Sequence, residues 1–551
     1  MMNLYRIVNL IVAVIFFGGI FHSQVPEKEK VIAGAERAFV KAAKTNPMPA
    51  PGCAVGVSLN GQSVFEKAFG MAEMEHGIPN TPQTIFESGS VAKQFTAAAL
   101  VQLSLEGKLN IDDPVRKYIP ELPDYGTPLT IRHLLTHTAG LRDWGPVMAL
   151  TGVGRGDRVV SQETALDVII NQKALDFAPG AEYSYSNSGY QLAAIIVERV
   201  SKQTFGAYTE EKFFKPLGMK NSSWRDDYQR LIPGRAQAYS RQGPNGPWRL
   251  NMPFMNVVGN GGMLTTVGDW LKWNAALDAR TMGAPFVEAL ETQGVLNDGR
   301  KISYALGVQH GTYKGIKEVS HSGGTAGYQT YLVRFPEKKL SIGVLCNGYP
   351  PFSGDVAYSI VDEVFGPFPE DPKPAGVQVP EDQLKKYIGL FRNERNRNPN
   401  RFVVEGGALK LNGSPMTPMA DGSFLAGSSK VTFLLDKDGR PTAAKAVSLD
   451  GVETTLIAER EWTPAAADLA EFAGTWYSEE STATFKFAAE GDKAFLLQRP
   501  SRRLPMLPLY KDHFSVEGGY VVWATRDAAG KIDKLHVGTS RLRDIPFIRV
   551  K

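Results

Sequence analysis

Three short stretches of this chain carry side chains whose types and spacing suit acyl-transfer chemistry. The first is Glu87-Ser88-Gly89-Ser90-Val91-Ala92-Lys93, which leads into an alanine-rich run ending at Gly107. A three-residue separation puts Ser90 and Lys93 on one helical face, with Cβ atoms about 5–6 Å apart. A serine hydroxyl is a poor nucleophile until a neighbouring base takes its proton. Lysine can be that base where burial or positive neighbours depress its pKa, and a helix N-terminus favours the negative charge that develops. The pair Ser-x-x-Lys occurs once in the chain.

The second stretch is Tyr183-Ser184-Tyr185-Ser186-Asn187-Ser188-Gly189-Tyr190. A Tyr185 hydroxyl near Ser90 could relay a proton to a leaving group, and Asn187 could donate to a substrate amide. Packing of a tyrosine-rich turn is the plainer reading. The third stretch is Val319-Ser320-His321-Ser322-Gly323-Gly324-Thr325-Ala326-Gly327-Tyr328. An inward-facing His321 could bond Tyr185 or a substrate carboxylate, although a lone histidine on a strand is more often structural. Gly323 and Gly324 let a substrate approach the backbone, where N–H groups can face a developing oxyanion.

These segments need a scaffold. An amphipathic helix is expected over 30–45, then strands 53–59 and 62–69 joined by the hairpin signal Asn60-Gly61. From 90 to about 230 the pattern is mainly helical. Strands return at 304–311, 317–321, 327–335 and 340–347, and a helix covers 354–365. One antiparallel sheet fed from both ends of this region, with helices packed against it, accounts for the order. Cys53 and Cys346 are the only cysteines. Antiparallel pairing of their strands would allow a bridge, but two buried free thiols are favoured because Cys is commonly buried unpaired.

Pro367, Pro369, Pro372, Pro374 and Pro380 mark a stiff linker over 367–380, after a catalytic domain at 25–366. The tail beyond is duplicated. Leu384, Tyr387, Gly389 and Phe391 match Leu469, Phe472, Gly474 and Trp476 at an offset of 85 positions. Pro415-Met416-Thr417-Pro418 matches Pro505-Met506-Leu507-Pro508 at an offset of 90. Each copy, 381–460 and 465–551, has room for about eight short strands, enough for a small lipocalin-like barrel. Two halves of one larger barrel is the rival arrangement. The second copy's insertion, near Gln498–Arg503, is Arg-rich: a solvated loop, or a basic finger toward the catalytic domain.

The composition narrows the function classes. At 551 residues, 43% hydrophobic and 21% charged, the chain can bury several cores. A net charge of +4 without a Lys/Arg run argues against nucleic acid as a partner. Arg6 followed by the apolar run Ile7–Phe21 reads as a signal peptide over 1–24, with an uncleaved anchor as the rival and the only expected link to a membrane. The protein is therefore expected to be exported, periplasmic or secreted. Eight scattered histidines without His-Glu-x-x-His give no metal site, and no cofactor is expected. No Gly-x-Ser-x-Gly elbow occurs, which disfavours an α/β-hydrolase.

Taken together, the three stretches resemble the serine β-lactamase and penicillin-binding-protein superfamily, in its class C branch. Ser-x-x-Lys is followed by Tyr-x-Asn about 95 residues on and by the strand motif about 135 further. Ile111-Asp112-Asp113-Pro114-Val115, the stretch Ile131–Leu141 and Gly261-Gly262-Met263-Leu264-Thr265-Thr266 also look like this family. The resemblance implies a multidomain α+β protein with Ser90 as nucleophile. It implies that Lys93 and Tyr185 share base and acid roles, with an oxyanion hole from the N–H groups of Ser90 and Gly324. His137 and Asp143 are read as structural. One departure is His321-Ser322-Gly323, where β-lactamases of this branch usually have Lys-Thr-Gly. A histidine there looks more like D-specific peptidases, DD-carboxypeptidases and related esterases.

The two barrels resemble the D-aminopeptidase architecture, in which a loop of the last barrel shapes the pocket. Arg502 and Arg503 would suit a substrate carboxylate if their loop is that one. The expected activity is hydrolysis, through an acyl-enzyme, of D-amino-acid-containing peptides or amides. An esterase or weak β-lactamase on the same site is the nearest alternative. A binding protein on an inactive scaffold is the alternative from another class, and retention of Ser90, Lys93, Tyr185 and His321 argues against it. Oligomeric state is not readable from the sequence.

Overall fold

The structure, a computed structural model, describes residues 25–153, 158–243, 245–369, 376–448, 451–499 and 501–550. The expected signal segment 1–24 and residues 370–375 of the expected linker lie outside them. Among the described residues, no helix is long and apolar enough to cross a membrane.

Six antiparallel strands form the central sheet: β1 Cys53–Leu59, β2 Gln62–Phe69, β3 Gln309–Tyr313, β4 Ile316–Thr325, β5 Tyr328–Phe335 and β6 Leu340–Cys346, in the order β3-β4-β5-β6-β1-β2. The first and last parts of the domain thus meet at the β1–β6 pair, which is buried throughout. Alternation along β1 sends Cys53, Val55 and Val57 to one face, where they join a core with α1 (Lys28–Lys44). The other face carries Ala54, Gly56 and Ser58, and the ladder sets Gly56 opposite Gly343 and Ser58 opposite Ser341. Those small pairs form a trough. A Cβ on Gly56 would lie 3.0 Å from Val267 at the head of a covering helix, Val267–Asp278.

The same register puts Cys53 directly opposite Cys346, and the two are joined by a disulfide. This corrects the expectation of free thiols. The general habit of buried cysteine gives way to a pairing that only the ladder reveals. The strand expected at 304–311 also begins later, at Gln309. Gly307, with φ +78°, packs on the Lys93 carbonyl region, and an added Cβ would sit 2.6 Å from that oxygen. This close approach keeps Tyr304 out of the strand.

The tail forms two separate barrels, so the single larger barrel is excluded. Strands from Gly474–Ser478 to Leu542–Arg549 make a closed eight-stranded ring. The first copy reaches almost the same closure with a bent strand. Ser414–Pro415 pairs with Ala408–Leu411, and Thr417–Pro418 pairs with Phe424–Ala426, on either side of Met416. Both cores hold the residues that the repeat aligns, including Phe402 with Phe487 and Phe424 with Phe514. The second barrel is also continuous with the catalytic domain. Val147 and Leu150, at the helix Trp144–Ala149 and just beyond it, belong to its hydrophobic cluster.

Candidate active site

Ser90 sits in a 3₁₀ turn, Gly89–Ala92, that runs into α2, Lys93–Leu105. Sheet geometry makes room for this turn. β3 pairs only with residues 316–320 of β4, so the distal half of β4 has a free edge there. Gly89 fills the gap with φ +53°, and a Cβ on it would fall 2.5 Å from the Gly324 nitrogen. Successive residues beside a two-residue hairpin turn alternate in hydrogen bonding, which turns the Gly324 N–H away from β5 and toward the Ser90 turn. Gly324 lines the cavity, and an added Cβ there would meet open space. Gly323 was expected to line the cavity with it. Instead an added Cβ on Gly323 would sit 2.1 Å from the Ser88 carbonyl oxygen, so its role is close packing.

Lys93 is completely buried. Its Nζ donates to Ser90 Oγ at 3.2 Å, to Asn187 Oδ1 at 2.9 Å and to the Asn260 carbonyl at 2.6 Å. Asn187, at the start of the helix Asn187–Ser201, in turn donates its Nδ2 to Asp143 at 2.8 Å. Asn187 thus bridges Lys93 and Asp143, and it also lines the cavity. Asp143, read from the sequence as structural, also lines the cavity.

Two basic side chains lie close to the Tyr185 ring. Lys93 Nζ is 5.0 Å and the Arg541 guanidinium 4.8 Å from its centre. Burial pushes its hydroxyl pKa up, with Ser90 acting in the opposite direction. The two hydroxyls nonetheless make no hydrogen bond of good geometry, and among the described residues the buried Tyr185 Oη has no hydrogen-bond partner. His137 holds this segment in place. Its carbonyl accepts the Ser184 N–H at 2.9 Å, its Nδ1 accepts the Ser186 N–H at 3.2 Å, and its ring lies 4.1 Å from that of Tyr185. Burial and the nearby Lys93 keep His137 neutral.

His321 faces inward, but it bonds neither Tyr185 nor open cavity. Its Nδ1 donates to the Ser322 carbonyl at 2.6 Å, which leaves Nε2 to accept from the Tyr304 hydroxyl at 2.8 Å. Tyr304 is not anticipated from sequence, because its position reads as a strand. Burial, aided by Lys93, lowers the His321 pKa to about 4. The neutral ring is therefore the folded form, and its contribution to stability is complete above the unfolded value of about 6.5. That contribution is expected to fall away as pH drops from about 6.5 to about 4. Denaturant titrations at stepped pH should show a shallower acid loss in His321→Gln than in the wild type. Equal slopes would contradict this assignment.

Ser90, Tyr185, Asn187, His321 and Gly324 all border one cavity of about 570 Å³, with Lys93 beneath them. Arg502 and Arg503 do not reach it. Arg503 pairs with Glu490 at 2.6 Å and stacks on Phe495. Their loop does contact the catalytic domain through Gln498, which donates to the Ala149 and Leu150 carbonyls at 3.0 and 2.9 Å. Two arginines line the cavity among the described residues: Arg225, which is paired with Glu87, and Arg541, which enters from the turn between the last two strands. Nothing in the sequence neighbourhood of Arg541 marks it, since it meets the site only by contacts between distant parts of the chain.

A serine and a lysine in contact at the head of a buried helix, on an antiparallel sheet covered by helices, define a serine hydrolase. The family model described as Beta-lactamase matches residues 42–364, and the chain belongs to that family. It is 25% identical over 520 residues to the D-aminopeptidase of Gluconobacter oxydans, covering 91% of this chain and 96% of that relative. It is 29% identical over 432 residues to penicillin-binding protein 4* of Bacillus subtilis, covering 72% of this chain and 92% of that relative. Among solved structures, the octameric penicillin-binding protein homologue from Pyrococcus abyssi shares the fold. The identity is 23% and the TM-score 0.54, over 86% of this chain and 99% of that chain.

Proposed function

We propose that this protein hydrolyses D-amino-acid-containing peptides or amides through an acyl-enzyme on Ser90. The 3.2 Å contact between Lys93 Nζ and Ser90 Oγ carries the reading. Acting as the free amine, with its two N–H bonds kept on Asn187 Oδ1 and the Asn260 carbonyl, Lys93 Nζ takes the serine proton as Oγ bonds to the substrate carbonyl carbon. The oxyanion that forms faces the Ser90 and Gly324 N–H groups. Tyr185 is a neutral hydroxyl at rest, because burial raises its pKa. It enters as a proton donor, passing a proton to the leaving nitrogen as the C–N bond breaks and regaining one from Lys93. Water then attacks the ester by the same steps in reverse, releasing the acid and restoring Ser90.

Two relatives support the choice of substrate: one is named a D-aminopeptidase and another a penicillin-binding protein. The Cys53–Cys346 disulfide supports export, since such bridges persist in oxidising compartments. A panel of D- and L-alanyl peptides, amino-acid amides, β-lactams and short-chain esters tests the proposal, read together with intact mass. The expected result is an acyl adduct on Ser90 and at least about tenfold faster turnover of D- than L-configured amides. Turnover of esters alone, or equal rates on both enantiomers, would overturn it.

A further inference from the structure

We propose that Arg541 makes this enzyme select substrates that carry a carboxylate, a specificity element supplied to the catalytic cavity by the second barrel. The proposal rests on the acyl-enzyme reading of Ser90. The hairpin turn between Ile532–Thr539 and Leu542–Arg549 is fastened to the catalytic domain at Arg541 itself and two residues beyond it. The Arg541 carbonyl accepts the Asp143 N–H at 3.2 Å. Two positions on, Arg543 makes a forked pair with Glu182 at 2.8 and 3.3 Å, and its backbone N–H donates to Asp176. Arg543, on the last strand, anchors the hairpin, while Arg541, in the turn before it, lays its guanidinium 4.8 Å from the Tyr185 ring centre.

The two arginines differ in what remains available. The Arg543 guanidinium is taken up by Glu182. The Arg541 side chain is 47% exposed and makes a loose ion pair with Asp143, at 3.7 Å and beyond hydrogen-bond distance. Among the described residues its guanidinium donates no hydrogen bond, although it lies against Tyr185 inside the cavity wall. A planar fork with free donors at a half-dry wall is suited to a carboxylate.

The rest of the cavity points the same way. The described lining residues include two carboxylates, Glu87 and Asp143, and neither is open to a substrate ammonium. Glu87 is fully buried and takes a bidentate pair from Arg225 at 2.9 and 3.0 Å and a third contact from Arg235 at 3.3 Å. Asp143 accepts from Asn187 and from the Gly145 N–H. An aminopeptidase is best served by a carboxylate facing the free amine of its substrate, and among the described lining residues both carboxylates are already engaged. A peptide or amide whose acid end lies within reach of Arg541 finds a charged partner instead.

The test compares N-acetyl-D-alanyl-D-alanine with its C-terminal carboxamide, in wild type, Arg541→Ala and Arg541→Lys. The readout is the acid-to-amide ratio of kcat/KM, so that any general loss of activity cancels. The ratio is expected to exceed one in the wild type and to fall about 10- to 100-fold in Arg541→Ala, chiefly through KM, with partial recovery in Arg541→Lys. Labelling of Ser90 by a fluorophosphonate, measured in all three proteins, separates the two hypotheses. Labelled enzyme whose ratio is unchanged by Arg541→Ala, or whose wild type prefers the amide, overturns the carboxylate role. A Ser90 that cannot be labelled in the wild type overturns the nucleophile reading and this proposal with it.

Discussion

Replacing Ser90 by alanine is expected to lower kcat by about four orders of magnitude or more, with little change in the melting temperature. The hydroxyl is small, and it accepts a 3.2 Å hydrogen bond from Lys93, which keeps its two other acceptors. Removing it costs the covalent route and almost nothing in packing. Lys93→Ala is expected to approach the same loss of rate for a different reason, because the hydroxyl then lacks the adjacent base. It should also lower stability, since the Asn187 Oδ1 and the Asn260 carbonyl lose their buried donor. The double variant is expected to be no slower than the worse of the two singles, as groups that act on one proton are not additive. Steady-state and single-turnover kinetics on the best substrate of the panel would check this. Activity retained in Ser90→Ala within about tenfold of wild type would refute the nucleophile.

The largest effect on stability is expected at Glu87. Its side chain is fully buried and joins Arg225, only 1% exposed, with Arg235 as a second cation. Glu87→Ala removes the carboxylate that both arginines share and leaves the Arg225 guanidinium uncompensated in the core. Breaking such a pair costs about 3–5 kcal/mol. Among the described residues the Arg225 Nη1 already has no hydrogen-bond partner, which makes further loss of solvation harder to absorb. Because Glu87 lies on the strand Phe86–Glu87, three residues before Ser90, activity should fall as well. Calorimetry should show the catalytic-domain transition moved down by several degrees, with the barrel transition less affected. Replacing both partners, as in Glu87→Leu with Arg225→Met, should recover much of the loss, because the cost comes from the unpaired charge. A melting curve like that of the wild type for Glu87→Ala would contradict this account.

Much of the site is legible in the amino-acid sequence because its chemistry is local. Ser90 and Lys93 are three residues apart and need only a helical turn to meet. Tyr185 and Asn187 share one short segment, as do His321 and Gly324. The duplicated tail is legible for a similar reason: a constant offset between two copies survives in one dimension, and each copy forms its own barrel. The bent strand at Met416 is not legible, since it depends on which neighbours each half finds.

The differences share a cause. The Cys53–Cys346 bridge, the His321–Tyr304 bond, the cavity position of Asp143 and the entry of Arg541 are all contacts that the local pattern does not encode. Residue type says what each group can do, but not which partner it meets. Tyr304 carries the pattern of a strand, and the approach of Gly307 to α2 overrides it. By composition, the arginine-rich insertion is the natural candidate for a basic finger. Docking of the barrel instead turns that loop onto the backbone at 149–150 and brings in a lone arginine from another hairpin.

For Ser90 and Lys93, then, residue order alone sets the pair on one turn and the succession of the three candidate segments, because helical and strand periodicity act over a few residues. What surrounds them is settled in three dimensions. Folding places His321 against Tyr304, joins Lys93 to Asp143 through Asn187, and sets Arg541 over Tyr185. These arrangements depend on burial and on the packing of a barrel against a sheet domain, where distance along the chain carries no information about distance in space.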